Sequence, residues 1–370
     1  MELFLSAGDL SGDNAAARLV AALRTHDPGL RLCGLGRTRL ARLGQEQFAP
    51  GGDLAVIGFW EVAKRLPYFR RLLARCADEI ARRAPRAVIL VDYPGFNLRL
   101  ARRVRRLGIP IIYYISPQIW AWGSKRLREI EQLVDLMLVI LPFEEDFYRG
   151  SRVNVRFVGH YLLEDIAAEM IASPPPERMA GGLALLPGSR PQEIDRLLGP
   201  MLETARRFTR AHGTRAVVAA LAGAYPYDAA LRAEDHAAIT VAYDDARRVI
   251  HDSALVLTAS GTATLEAAVI GRPMVVAYRT GEITYRIARR LITLDKIALV
   301  NLVAGQEVVP ELVQHEATPD RMTAALERLW NDRELYLRTA AALGRIPGLL
   351  GGTGASDRAA RLIIDHLEGK

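Results

Sequence analysis

Cysteine is nearly absent: Cys33 and Cys76 are the only two among 370 residues, and neither stands in a paired ligand spacing. A disulfide framework or a structural zinc site has nothing to build on, and a reducing cytoplasm is the expected setting. No apolar run approaches the ~20 residues that cross a bilayer, so any membrane contact is expected to be peripheral. Residues 1–7 read as a short apolar strand carrying Glu2. They lack the basic n-region and longer apolar core of a signal peptide, so export is not expected. A G-x-G-x-x-G fingerprint is missing too: Gly34-Leu35-Gly36 has no third glycine, which sets dinucleotide enzymes aside. Aromatic residues make up 7% of the chain, and few of them interleave with the basic runs. A binder of single-stranded nucleic acid would need that interleaving, so no nucleic-acid partner is expected.

What is present is a globular composition, half apolar and a quarter charged, with a net charge of +7. The excess of positive charge favours anionic partners, among them nucleotide phosphates and phospholipid surfaces. The length exceeds what one hydrophobic core usually serves, so two domains are expected. Apolar runs rich in β-formers alternate with helix-period segments. The runs are apolar throughout rather than every second residue, as parallel strands buried on both faces require. The fold class is therefore α/β. Strands are expected at 2–6, 87–92, 110–116 and 136–141, and a second series at 183–186, 216–221, 239–243, 255–259 and 274–278. The boundary falls near 160–182, through Pro174-Pro175-Pro176. Domains are expected over 1–165 and 175–345, with a final helical segment at 346–370 returning to the first domain. Two Rossmann-like doubly wound domains facing each other would leave a cleft outside the carboxyl ends of their strands, where open α/β sheets bind ligands.

Several segments carry chemistry for such a cleft. The strand ending at Leu186 runs into Pro187-Gly188-Ser189-Arg190, with Glu193 in the next helix. Glycine allows close backbone approach, the helix start offers unpaired amides, and Arg190 can fork two bonds onto a phosphate. The same loop also reads as a plain turn with a solvated arginine. Ser260-Gly261-Thr262 opens a second helix of this kind, with Ser260 as its N-cap and Glu266 placed to accept from ribose hydroxyls; an ordinary capped helix is the alternative. In the first half, Gly8, Asp9, Ser11, Gly12 and Asp13 form a glycine-rich turn after the first strand, suited to a ligand or to a structural turn in which backbone amides satisfy Asp13. Asp92 ends an apolar strand, where partial desolvation would raise its pKa and fit it as a general base, with Asn97 nearby. Ser116, Gln118, Trp120 and Trp122 follow the next strand and suit a sugar face, an acyl chain or the core. His160 ends the first domain. Residues 59–75 mix apolar bulk with cations: Phe59, Trp60, Lys64, Arg65, Tyr68, Arg70, Arg71 and Arg75 read either as a membrane-surface patch or as a solvated basic helix. Phe69, Leu72, Leu73, Cys76 and Ile80 of that helix are expected to face the core.

Taken in order, SAGDLSGD, DLAVIGFWEV, VDYPGFNLRLA, YYISPQIWAW, LPFE, FVGH, LLPGSR, ASGTATLEA and NLVAGQEVVPEL resemble the lipid-A-disaccharide synthase family across residues 3 to about 315. The resemblance implies a GT-B fold and an inverting transfer of 2,3-diacylglucosamine from UDP to 2,3-diacylglucosamine 1-phosphate, giving a β-1,6 disaccharide and UDP. It implies no metal and no cofactor. It further implies Asp92 as base, Arg190 on the donor phosphate, and Asn301, Glu307, Glu311 and Gln314 in the donor site. Peripheral attachment to the cytoplasmic face of the inner membrane through the 59–75 region is implied as well. The sequence departs from the family pattern at Asp9, where Glu is usual, at Tyr161, where Pro is frequent, and in a short stretch before Leu183. Competing readings are a GT-B transferase with another lipid acceptor, a UDP-sugar 2-epimerase, and a non-catalytic nucleotide-sugar or phospholipid binder.

Overall fold

The computed structural model describes residues 1–49, 66–122, 126–291 and 296–369. The chain divides into two compact units, Met1–Tyr161 with Thr353–Lys370, and Leu162–Gly352. Among the described residues, the first unit holds seven strands: β1 (Glu2–Ala7), β2 (Arg31–Leu35), β3 (Glu46–Gln47), β4 (Ala87–Val91), β5 (Ile111–Tyr114), β6 (Leu136–Val139) and β7 (Val155–Phe157). All pair in parallel, in the order β3-β2-β1-β4-β5-β6-β7. The second unit holds β8 (Leu183–Leu186), β9 (Ala216–Ala220), β10 (Ile239–Tyr243), β11 (Leu255–Ala259), β12 (Met274–Tyr278) and β13 (Glu311–Val313). These are also parallel, in the order β10-β9-β8-β11-β12-β13. The winding reverses between β1 and β4 in one sheet and between β8 and β11 in the other, and a doubly wound sheet opens its ligand crevice at such a switch point.

The apolar runs form central strands because helices cover both faces. Every residue of β4, β8 and β11 is buried. On one face of the first sheet, Phe4, Val88 and Leu90 pack with Leu72, Leu73, Cys76 and Ile80 from the helix Leu66–Arg83 and with Phe96, Leu100 and Val104 from the helix Pro94–Val104. The carboxyl-terminal helix Ala355–Glu368 packs against the helix Leu10–His26, burying Ala355, Ala359, Ala360 and Ile363. Arg358 Nε donates to the Val158 carbonyl at 2.8 Å, and the Arg86 guanidinium donates to the Leu367 carbonyl. In the second unit Phe208 and Trp330 meet edge to face at 5.1 Å, joining the helices Pro191–His212 and Pro319–Asn331. Arg272, 1% exposed, donates to the carbonyls of Ser173, Ile270 and His251. It thereby ties the start of the second unit to its sheet.

All nine strands expected from the sequence are present. The run 110–116 is trimmed to Ile111–Tyr114: Pro110 has no N–H to give, and Ile115 turns to φ 67°, left-handed space that a β-branched residue resists. β2, β3, β7 and β13 were not expected. They are short or broken by charge, and β2 contains Gly34, whose absent side chain leaves room for β1. A Cβ there would lie 2.2 Å from the Leu5 carbonyl oxygen.

Candidate active site

Each unit gathers its chemistry at its own switch point. In the second unit a cavity of about 610 Å³ opens outside the carboxyl ends of β8, β9 and β11. Gly188, Ser189, Arg190 and Glu193 line it from the loop after β8, and Ser260, Gly261, Thr262 and Glu266 from the loop after β11. Gly188 needs to be glycine: its φ is 116°, and a Cβ would come 3.0 Å from the Glu193 side chain. Arg190 occupies the N-cap position before Pro191, so the positive dipole end of a 22-residue helix meets the same space. Its guanidinium is 66% exposed and pairs with Glu193 at 3.0 Å, a contact that an anion can displace.

The second loop differs from expectation. Gly261, not Ser260, holds the N-cap position of the helix Thr262–Ile270, with φ 155°, and the Ser260 hydroxyl donates instead to the Ile297 carbonyl at 3.4 Å. A glycine cap leaves the helix amides open to a ligand. Glu266 is not a solvated carboxylate, because Arg247 Nε donates to it at 2.9 Å. Arg247, Asp244 and Asp245, which line the cavity from beyond β10, were missed by sequence reasoning. Their position just after the strand ending at Tyr243, with Asp244 at φ 57°, is the signal that was available.

The late-motif residues are not part of the cavity lining. Asn301, fully buried, accepts from the amides of Val308 (2.8 Å) and Val309 (3.1 Å) and donates to Glu311 at 2.7 Å. Glu311 also accepts from the Ile297 amide at 2.7 Å. Gln314, at φ 53°, accepts from the Thr280 amide at 3.0 Å and donates to its carbonyl, while Glu307 is exposed. Asn301, Glu311 and Gln314 satisfy the backbone around β13, and their side chains are spent doing so.

In the first unit, Asp92 follows β4 in a left-handed turn, with φ 45° at Asp92 and 46° at Tyr93. Two successive non-glycine residues in that region cost about 1–3 kcal/mol each and persist only when the surroundings hold them. Here Asn97 Nδ2 and the Tyr113 hydroxyl donate to the Asp92 carbonyl at 2.8 and 2.6 Å. Ser6 Oγ donates to Asn97 Oδ1 at 2.7 Å, so Asn97 positions Asp92 rather than facing a ligand. Gly8 belongs to the same turn: a Cβ there would sit 2.3 Å from the Tyr93 ring. Burial, and then the charge of Asp9, push the Asp92 carboxyl up to about 6. The carboxylate of Asp9 caps the helix Leu10–His26, accepting from the Gly12 amide at 2.6 Å. Asp is the better cap at that position, and the longer Glu would have to fold back to reach the amide.

The other residues of this region divide between open and structural positions. Asp13, fully buried, accepts from the amides of Arg37, Arg39 and Leu40 at 2.7, 2.9 and 3.4 Å, so it is structural. Ser11 Oγ and the Tyr161 hydroxyl lie 2.9 Å apart, which gives the second departure a local partner. Ser116 bonds the Tyr148 hydroxyl at 2.8 Å, deep in the core. Gln118 is exposed. Trp120 Nε1 donates to Glu144 at 3.2 Å, and burial raises the Glu144 carboxyl to about 7. Trp122 ends the short helix Ile119–Trp122. Burial holds His160 neutral, near pKa 4.

Of the basic patch, Phe59, Trp60, Lys64 and Arg65 lie outside the described residues. Arg70 and Arg71 are exposed on the helix Leu66–Arg83, and Tyr68 meets Phe69 edge to face. Arg75 is committed elsewhere: it donates to the Phe48 carbonyl at 3.0 Å and sits 5.7 Å over the Phe48 ring.

Comparison with known proteins agrees with the motifs. A family model described as lipid-A-disaccharide synthetase matches residues 3–342. The lipid-A-disaccharide synthase of Anaeromyxobacter dehalogenans (strain 2CP-C) is 42% identical, over 98% of this chain and 97% of its own. Among solved structures, the glycotransferase of kitacinnamycin superposes with a TM-score of 0.67 at 16% identity, covering 98% of both chains. A UDP-GlcNAc 2-epimerase from Neisseria meningitidis, bound to UDP-GlcNAc, gives 0.64 at 11% identity over the whole of both chains. These two likenesses concern the fold, which is GT-B, and do not separate transferase from epimerase. The sequence match does separate them: the chain belongs to the lipid-A-disaccharide synthetase family.

Proposed function

We propose that this glycosyltransferase moves 2,3-diacylglucosamine from UDP to the 6-hydroxyl of 2,3-diacylglucosamine 1-phosphate, with inversion, giving the β-1,6 disaccharide 1-phosphate and UDP. Asp92 is the observation that carries the reading. A carboxyl at about 6 is ionised at neutral pH yet basic enough to take the proton of the attacking hydroxyl, a role that contributes about 10²–10⁴ in rate. The acceptor oxygen attacks the anomeric carbon from the face opposite UDP. As the bond to the diphosphate breaks, the leaving charge rests on Arg190, on the dipole end of the helix that follows it, on the first-turn amides after Gly261, and on Arg247 once Glu266 yields it. Ser189 and Thr262 supply hydroxyls beside the same phosphates. Among the described residues no helix is long and apolar enough to cross a membrane. The acylated substrates are met by peripheral contact at the cytoplasmic face of the inner membrane, with Arg71 toward anionic headgroups.

The test is UDP release from UDP-2,3-diacylglucosamine with and without the acceptor, in wild type and Asp92→Ala. Acceptor-dependent release that falls by about 10²–10⁴ in the variant is expected. Release that ignores the acceptor, or survives the substitution, overturns the reading. No release by folded wild type, across detergents and acyl lengths, points to another lipid acceptor.

A further inference from the structure

The first unit contains a groove of about 620 Å³ that neither the donor chemistry nor Asp92 uses. It runs between the helices Leu66–Arg83 and Pro94–Val104, and Tyr93, the residue after Asp92, is part of its lining. Leu73 and Phe96 supply an apolar floor, and Leu66 stands 44% exposed at its margin. A helix–helix groove of this size is normally closed by side chains from one of its walls. Here Gly95 sits in the wall with nothing within 4 Å of where its Cβ would be.

The margin is cationic on both sides. Arg70 comes from one helix and Arg99, Arg102 and Arg103 from the other, and among the described residues no acidic one lines the groove. Arg102 pairs with Glu129 at 2.6 Å, and Arg99 donates to the Gly95 carbonyl. Arg70 and Arg103 have no carboxylate within ion-pair distance among the described residues, and both are exposed. An apolar floor calls for a hydrocarbon chain, and unpaired guanidinium groups at the rim call for phosphate. A ligand that satisfies both carries the two in one molecule.

We infer that this groove takes one acyl chain of the phosphorylated acceptor along its floor while Arg70 and Arg103 hold the sugar phosphate at its rim. The inference rests on the proposed transfer reaction. It commits to the substrate itself rather than to bulk anionic phospholipid, because the groove has an apolar floor and is lined by Tyr93, the residue after the base. A flat basic face would suffice for headgroups. Arg70 thus serves the acceptor, not the general surface charge.

The experiment compares wild type with Arg70→Ala/Arg103→Ala and with Gly95→Leu, which fills the groove from a position with open space. UDP release is measured in neutral detergent against acceptor and donor separately. Calorimetric binding of a short-chain 2,3-diacylglucosamine 1-phosphate, below its micellar concentration, is measured on the Asp92→Ala background. Co-sedimentation with phosphatidylglycerol vesicles forms the third arm. An acceptor KM raised about tenfold or more, with donor KM and kcat within about twofold and vesicle binding kept by Gly95→Leu, is expected for the loss of charge-assisted phosphate bonds and of chain space. Unchanged acceptor KM and binding in both variants overturns the inference. So does a loss seen only in vesicle co-sedimentation, which makes the arginines a headgroup surface. If folded wild type turns over no acceptor, the reaction assignment fails, and the calorimetric arm still reports whether the groove binds acylated phosphate.

Discussion

Replacing Asp92 by Asn should abolish most activity and at the same time stabilise the first unit at neutral pH. The folded carboxyl lies at about 6, above the ordinary aspartate value of 3.8, chiefly because burial penalises the charged form. A folded pKa above the unfolded one means that the native state binds the proton more tightly. The destabilisation is therefore absent below about pH 3.8, grows as pH rises toward 6, and is fully present above it. A rise of about two pH units corresponds to roughly 3 kcal/mol. Partial solvent access lowers that, and about 1–2 kcal/mol is the expected gain for Asp92→Asn at pH 8. Asn keeps the shape, and the backbone bonds from Asn97 and Tyr113 to the residue 92 carbonyl are untouched. Urea unfolding followed through the first-unit signal at pH 8 and near pH 4 measures the difference, alongside UDP release at pH 8. A variant that is inactive and no more stable at pH 8 than wild type, or whose gain is equal at both pH values, would refute the burial argument.

Asp9→Asn removes the second cause of the raised Asp92 carboxyl, so the acid limb of kcat/KM should move downward by less than about one pH unit, burial being the larger cause. A pH profile shows this, and an upward move contradicts it. Gly8→Ala brings a Cβ against the Tyr93 ring and should cost about 1–3 kcal/mol with loss of activity, read by thermal unfolding and UDP release. Arg190→Ala should cut UDP release per enzyme by about tenfold or more while leaving the melting curve alone, since its pair with Glu193 is exposed. Arg272→Ala orphans three carbonyls and should destabilise the second unit by about 3 kcal/mol or more, measured by urea unfolding.

The central strands were legible because a parallel sheet covered on both faces demands unbroken apolar runs, as at 87–91 and 255–259. The loops after them were legible because tight βα turns need glycine: Gly8, Gly188 and Gly261 each stand where a side chain would clash or strain. The edge strands β3, β7 and β13 could not be read, being only two or three residues long and partly polar. Asp92 as a candidate base was legible from its place at a strand end. Its left-handed turn was not, because that conformation is imposed by Asn97, Tyr113 and Ser6 rather than by its own neighbours.

Sequence proximity to a motif was a poor guide to the late segment. Asn301, Glu311 and Gln314 belong to a recognisable run, yet their side chains close hydrogen bonds around β13, while Arg247, in no recognisable run, lines the cavity. Asp13 likewise stands inside a motif and spends its carboxylate on three amides of a distant turn. The sequence by itself determined the period, the apolar strands, the glycine positions and the family. Only the tertiary structure decided which polar side chains remain free for a ligand, because a buried donor or acceptor must first satisfy backbone groups that lie far away along the chain.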